Sequence, residues 1–277
     1  MMTKKTIILA ISSFMLFSSC KENTSKQTTD QQPSEQNSSS EILKLDSIEL
    51  KDNTQLFANV KLDYSSNLLL FPELKDKKVL DSIYFKYEGL KNFSKEELQK
   101  AMEKEKNDYY AGLKKQNMED KGMPESLWMT DSNMKIKSNK NGFLHIEYVM
   151  ETNMGGPYSN EVFQDKVFDL NNDKKVELSD ITSLSKNDID KLLKQKATKI
   201  TFKNEGSEKP LILSEELSDT NSNLTFNNFY FDEKNLYFHY SPGEIAIHAL
   251  GNIIIPVTWE ELNGKLKPDF QTRMKIK

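Results

Sequence analysis

An α+β fold is what this sequence predicts: a mainly antiparallel sheet with two amphipathic helices packed on it. Three observations carry the prediction. Stretches of period-two alternation recur along the chain. They come in runs joined by hairpin turn signals. Two segments, beginning at Ser94 and Ser185, repeat apolar residues at helical spacing. The chain has 277 residues, 36% hydrophobic and 29% charged, enough for one large domain or two small ones. Its formal net charge of -4 argues against a nucleic-acid partner, which selects a basic face. Cys20 is the only cysteine, so an intrachain disulfide and the ordinary cysteine-zinc sites are excluded.

Residues 1–19 read as a targeting segment rather than as fold. Lys4 and Lys5 form a basic start, and Ile7 to Phe17 is an apolar run too short to span a bilayer. Phe17-Ser18-Ser19-Cys20 resembles the lipobox of a bacterial lipoprotein signal, with Phe17 in place of the commoner Leu. The expectation is a signal peptide over 1–19, palmitate on Cys20, and a membrane anchor through that lipid. The address is then the cell envelope, either the outer membrane facing the periplasm or the cell surface. Residues 20–41 read as a tether, because Lys21 to Glu41 holds no large apolar residue and cannot bury enough surface to fold. As a flexible coil it spans about 25 Å. The folded domain is expected over 42–277, with 42–125 as a candidate N-terminal subdomain.

Within the domain, Leu56, Ala58, Val60, Leu62 and Tyr64 alternate as a first strand, and Ile83, Phe85 and Tyr87 as a second. A helix starts at Ser94, where Ser94 and Glu97 form a capping box and Phe93 and Leu98 a hydrophobic staple. Its stripe is Leu98, Met102, Tyr109 and Leu113. Met134 and Ile136 lead into Asn141-Gly142, the signature of a type I′ hairpin turn. Leu144, Ile146, Tyr148 and Met150 then share a face, and Val162 to Leu170 forms the next strand. The second helix starts at Ser185, stapled by Leu184 and Ile189, with Ile189, Leu192, Leu193, Ala197 and Ile200 as its stripe.

The densest aromatic and β-branched run is Asn227 to Leu262. Phe229 and Phe231 point one way, opposite Asn228 and Tyr230. After the polar turn Asp232–Asn235, Leu236, Phe238 and Tyr240 share a face opposite Tyr237 and His239. Ile253 to Val257 is apolar enough to read as a strand covered on both faces, or nearly so, with Pro256 at an edge or strand end.

This run resembles the domain-of-unknown-function family that forms the extracytoplasmic C-terminal part of RsiV-type anti-sigma factors and PdaC-type peptidoglycan deacetylases. The residues that carry the likeness are the aromatic hairpin Phe229–Tyr240, then Pro242-Gly243-Glu244-Ile245, Ala246–Gly251, Ile255-Pro256 and Glu261-Leu262. Upstream, Gly155-Gly156-Pro157, Phe168-Asp169-Leu170 and the Lys174–Asp180 stretch are similar to further family segments, so the likeness runs from about Ile83 to Phe270. Gly243 stands where the family favours Tyr, and Pro157-Tyr158 where Ala-His is more usual. The resemblance implies a role near the cell wall. The deacetylase's zinc-binding Asp and His motifs are not recognisable here, nor are the regulator's sigma-binding segment and membrane helix.

Candidate chemistry is sparse. Asp169, Asn171 and Asp173, with Glu177 and Asp180 beyond, have the spacing of a calcium loop. Lys174 occupies the position where that loop needs Gly, so a hairpin with Asn172-Asp173 at its tip is favoured and neither metal nor cofactor is expected. The three histidines, His145, His239 and His248, lack metal-ligand spacing and read as solvent-facing or hydrogen-bonded. No Gly-x-Ser-x-Gly elbow is present. Glu215-Glu216 and Glu260-Glu261 are raw material for a carboxylate pair, though surface solvation explains them.

The expected function is a lipid-anchored envelope binding module, not an enzyme, recognising a cell-wall glycan or a wall-active protein. The alternatives are an envelope hydrolase with an Asp/Glu site and a structural outer-membrane lipoprotein. With the larger aromatic set in the core, Tyr230, Tyr237 and His239 are left as the expected ligand-binding residues. A helix covering that face is the competing expectation.

Overall fold

The computed structural model describes residues 43–116, 125–203, 209–217 and 224–277. The signal peptide, Cys20 and the tether lie outside the described residues. Those described belong to one compact unit, Ser38–Lys277.

The chain opens with a long hairpin, β1 (Asp46–Phe57) and β2 (Val60–Leu70). The single strand expected over Leu56–Tyr64 is therefore two strands. The turn at Ala58-Asn59 carries no Gly or Pro to mark it. The register shifts between Gln55 and Phe57, so Leu56 stays in the same small core as Val60 and Leu62, and the apolar alternation crosses the turn unbroken. The strand expected at Ile83–Tyr87 is also corrected. Ile83 closes helix α1 (Lys77–Ile83), which Asp76 caps by accepting from the Val79 N–H at 2.9 Å. Two tyrosines then hold the following turn. The Tyr84 hydroxyl donates to Leu69 O, and the Tyr148 hydroxyl donates to Ile83 O, both at 2.9 Å.

Helix α2 (Lys95–Gln116) begins as predicted. Ser94 Oγ accepts from the Glu97 N–H, but the Ser94 N–H donates to Asn92 Oδ1, so only half of the capping box forms. Leu98, Met102 and Leu113 are buried, and Tyr109 is half-buried. Because α1 and α2 lie between them, β2 and β3 (Ser126–Lys140) can pair parallel, a connection that needs a crossover. β4 (Phe143–Asn153) returns antiparallel through Asn141-Gly142, with φ of 55° and 70° as a type I′ turn requires. β5 (Asn160–Asp169) and the two-residue β6 (Lys174–Lys175) complete a sheet of order β1-β2-β3-β4-β5-β6. Eight residue pairs join β2 to β3, so the residues before and after position 125 share one sheet.

The remaining elements follow in chain order. They are α3 (Leu178–Ile181), α4 (Lys186–Ala197), the pair β7 (Thr201–Phe202) and β8 (Leu211–Ile212), and α5 (Leu213–Glu216). Ser185 caps α4, accepting from the Asp188 N–H, and Ile189, Leu193 and Ala197 are buried with Leu192 packed beside them. The aromatic run forms β9 (Phe229–Phe231), β10 (Asn235–Tyr240) and β11 (Ile253–Thr258), a three-stranded sheet of order β11-β10-β9. α6 (Pro268–Met274) ends the chain's regular structure.

The predicted cross-strand pairs are present: Phe238 opposite Phe229, Tyr237 opposite Tyr230, and Leu236 opposite Phe231. Phe229, Phe231, Leu236, Phe238 and Tyr240 enter a core shared with α4, α6 and the buried side of β11. Each such side chain contributes about 1.5–3 kcal/mol on burial. β11 is not covered on both faces as expected. It is an edge strand, with Ile253, Ile255 and Val257 buried while Ile254 stays 37% exposed. Pro256 sits on that edge opposite Tyr237, where its missing N–H costs no ladder bond.

Candidate functional site

The second face of the aromatic hairpin carries Asn228, Tyr230 and His239, and it turns toward β5 of the large sheet rather than toward a helix. Side-chain hydrogen bonds join the two. Asn228 Oδ1 accepts from the Asp165 N–H at 2.6 Å, and its amide donates to Phe163 O and His239 O, both at 2.9 Å. Ser241 Oγ accepts from the Phe163 N–H at 2.9 Å. These polar contacts run beside the apolar packing of Phe143 on Phe231 and leave space next to them.

That space is a cleft of about 580 Å³, within the usual size of a small-ligand pocket. Its floor is a cluster from three strands: His145 on β4, Asp165 on β5 and His239 on β10. His145 Nε2 lies 2.6 Å from Asp165 Oδ1, and His239 Nδ1 lies 2.6 Å from Asp165 Oδ2. The three residues are 4%, 4% and 2% exposed. Burial pushes the Asp165 carboxyl upward, and hydrogen bonds from the two imidazoles more than offset it, holding it below the ordinary carboxylate range. An ionised carboxylate only accepts, so both rings donate to it.

Aromatic rings form one wall. Tyr230 stacks on His145 at 4.8 Å and 13°, and Tyr237 stacks on the opposite side of Tyr230 at 4.8 Å and 15°. Phe163 lies against His239 with ring centroids 4.9 Å apart. Burial and then the Asp165 charge push the Tyr230 phenol up to about 12, so it stays a neutral donor. Tyr237 is tied into the β9–β10 turn, its hydroxyl donating to Asp232 Oδ2 at 2.8 Å. At the rim the charges are paired, Lys137 with Glu147 at 3.1 Å and Lys140 with Glu233 at 3.2 Å. Ile254 and Met274 add apolar surface.

Of the residues expected to bind ligand, Tyr230 and His239 line this cleft, while Tyr237 supports Tyr230 from behind. His145 and Asp165 were not among them. A histidine between Leu144 and Ile146 in a buried strand signals a need for a partner, but naming Asp165 takes the strand register. His145 pairs with Val167 and Asp165 with Glu147, so the two meet on the diagonal. His248 is exposed, near Tyr158.

The calcium-like residues are committed elsewhere. Asp169 Oδ1 accepts from the Asn171 and Asn172 N–H groups at 3.0 and 3.1 Å, and Oδ2 meets Arg273 Nη1 at 2.6 Å. Asp173 has φ 49° at the hairpin tip. Glu177 and Asp180 form the capping box of α3. Among the described residues no group of three His, Cys, Asp or Glu side chains is placed to hold a metal ion. Glu261 receives the Thr258 N–H and pairs with Lys196 at 2.8 Å, while Glu215 and Glu260 are exposed. A second cleft, about 610 Å³, lies between α2 and the turn around Tyr87, but Lys100 and Lys104 on its rim are paired with Glu97 and Asp108 along the helix.

Residues 168–260 match the family model DUF3298, described as a protein of unknown function. The match takes in His239 and stops short of His145 and Asp165. A DUF3298-family protein of Bacteroides fragilis NCTC 9343 with a solved structure is similar at a TM-score of 0.65 and 22% identity, over 85% of this chain and 98% of that one. A DUF3298-family protein of Pseudomonas aeruginosa PAO1 is similar at a TM-score of 0.50 and 15% identity, over 83% and 97%. These likenesses show the fold. No curated protein matches the chain. Among the described residues no helix is long and apolar enough to cross a membrane.

Proposed function

We propose that this protein is a lipid-anchored cell-envelope binding module that holds a cell-wall glycan in the cleft between β5 and the aromatic hairpin. One observation carries the reading: the cleft is ligand-sized, walled by Tyr230, and floored by buried polar groups bound to one another. Such a floor offers fixed hydrogen-bonding edges and stacked rings, the means by which a neutral polar ligand is recognised. The rim lysines are paired, and Asp165 and Asp232 also line the cleft, so among the described residues it offers no free cation to an anionic ligand. Among the described residues no hydroxyl or thiol is hydrogen-bonded to either imidazole. Membrane anchorage rests on Lys4, Lys5, the apolar run and Cys20, and the wall address on the resemblance of the C-terminal run.

Sedimentation with insoluble cell-wall glycan tests the proposal, using the wild type and a Tyr230→Ala/Tyr237→Ala double variant. The wild type co-sediments and the variant stays in solution with its circular dichroism unchanged. Equal behaviour of the two defeats the cleft as the binding site.

The Asp165–His239 pair supports one second reading, an envelope hydrolase in which His239 is the base and Asp165 orients it. It requires release of soluble fragments or ester cleavage by the wild type, abolished in Asp165→Asn.

A further inference from the structure

Resting on the glycan reading of the cleft, the geometry points to the chemical group it recognises. We propose that the Asn252 carboxamide is a placeholder over an acceptor nitrogen, His239 Nε2, which in the liganded protein takes the N–H of a 2-acetamido sugar. His239 uses Nδ1–H to donate to Asp165 Oδ2 at 2.6 Å. A neutral imidazole has one protonated nitrogen, so this bond makes Nε2 the bare acceptor. The nitrogen lies in a residue 2% exposed, where an unpartnered acceptor is costly. Its partner is Asn252 Nδ2 at 3.2 Å. That contact differs from the others in the floor, because Asn252 is exposed whereas His145, Asp165 and His239 are buried. Asn252 follows Gly251, whose φ of 70° and open Cβ direction leave the backbone there free of side-chain packing. The carboxamide can swing into solvent without opening the core, and the nitrogen it leaves faces the cleft.

The replacement must restore what Asn252 supplies. An acetamido group carries the same N–H and C=O as a carboxamide, on a secondary amide that also bears a methyl. Ile254, 37% exposed, and the Phe163 ring beside His239 provide apolar surface for that methyl. A sugar hydroxyl can reach Nε2 but offers neither the carbonyl nor the methyl. The site therefore separates acetamido sugars from sugars with a hydroxyl at that position.

The test uses the full-length chain, calorimetric titration and 15N spectra of its histidine side chains. The probes are tetra-N-acetylchitotetraose and cellotetraose, neutral oligomers that differ in the acetamido groups. In the free protein the His239 nitrogen facing Asn252 gives the signal of an acceptor and the one facing Asp165 that of a donor. The acetylated oligomer shifts the bare nitrogen and binds at least about fourfold tighter than cellotetraose, the worth of one buried methyl. Asn252→Ala, a surface change, retains or improves that affinity, and His239→Gln erases the preference. Equal affinity for the two oligomers overturns this inference and leaves the glycan reading standing. Binding of neither overturns both. Weaker binding of the acetylated oligomer by Asn252→Ala makes Asn252 a ligand contact and refutes its placeholder role.

Discussion

Arg273→Met removes the one arginine of a chain that otherwise relies on lysine. From α6 its guanidinium reaches two turns at once. Nη1 pairs with Asp169 Oδ2 at 2.6 Å, while Nε and Nη2 donate to Asn141 O and Gly142 O, both at 2.8 Å. The group also lies 3.8 Å from the centroid of the Phe143 ring. The two side chains of the ion pair are 19% and 7% exposed, so the variant leaves a nearly buried carboxylate without its cation. Breaking a buried pair in this way costs about 3–5 kcal/mol. The low end applies, because the Asn171, Asn172 and Leu170 donors still serve Asp169 and Gly142. A loss of about 3 kcal/mol lowers Tm by about 6–12 °C in a domain of this size. Arg273→Lys keeps the charge without the three-way fork and loses about 1–2 kcal/mol. Urea unfolding followed by tryptophan fluorescence reads both, since Trp259 lies 5.5 Å from Phe270 of the same helix. The pH dependence supplies a second check. Burial raises the Asp169 carboxyl, but Arg273 and Asn172 together pull it below its ordinary value. Its stabilisation is therefore complete above the unfolded pKa of about 3.9 and is lost as pH falls through the lower folded value. Arg273→Met shrinks that acid limb. A loss under about 1 kcal/mol, or a lysine variant as stable as the wild type, refutes the clamp.

Three further predictions concern the core, the site and the anchor. Leu98→Asp puts an unpaired charge at a position with 0% exposure and costs more than about 4 kcal/mol, whereas Lys104→Asp on the exposed side of α2 stays within about 0.5–1 kcal/mol; urea midpoints that coincide contradict the phase of this helix. Asp165→Asn cannot accept from both imidazoles at once and costs about 1–3 kcal/mol at pH 7, and it also removes the Asp165 share of the stability lost in acid; an unchanged acid transition counts against the buried cluster. Labelled palmitate enters the wild type in cells and is absent from Cys20→Ser; label in neither form, with both soluble, defeats the lipid anchor.

What could be read in the sequence followed local rules. Asn141-Gly142, Ser94, Ser185 and the Phe229–Tyr240 alternation each specify a turn, a cap or a face within a few residues, and the structure has them there. The misreadings share a different cause. Ala58-Asn59 turns the chain with neither Gly nor Pro while a bulge preserves the alternation, and Ile83-Phe85-Tyr87 alternates by accident at a helix end fixed by two distant tyrosine hydrogen bonds. The same limit governed the site. Tyr230 and His239 stood out on one strand face, but Asp165 lies 74 residues from His239 and 20 from His145. The β4–β5 register sets His145 beside Asp165, and the docking of the hairpin on β5, through Asn228 and Ser241, brings His239 and Tyr230 to them.

The central claim is that ligand enters the cleft beside His239. Amide 1H–15N spectra of the protein titrated with soluble cell-wall glycan fragments test it most directly. The account predicts saturable shifts confined to residues around Tyr230, His239, Asn252 and Ile254. Shifts centred on the α2 cleft near Tyr87 and Tyr109, or none at millimolar glycan, contradict it.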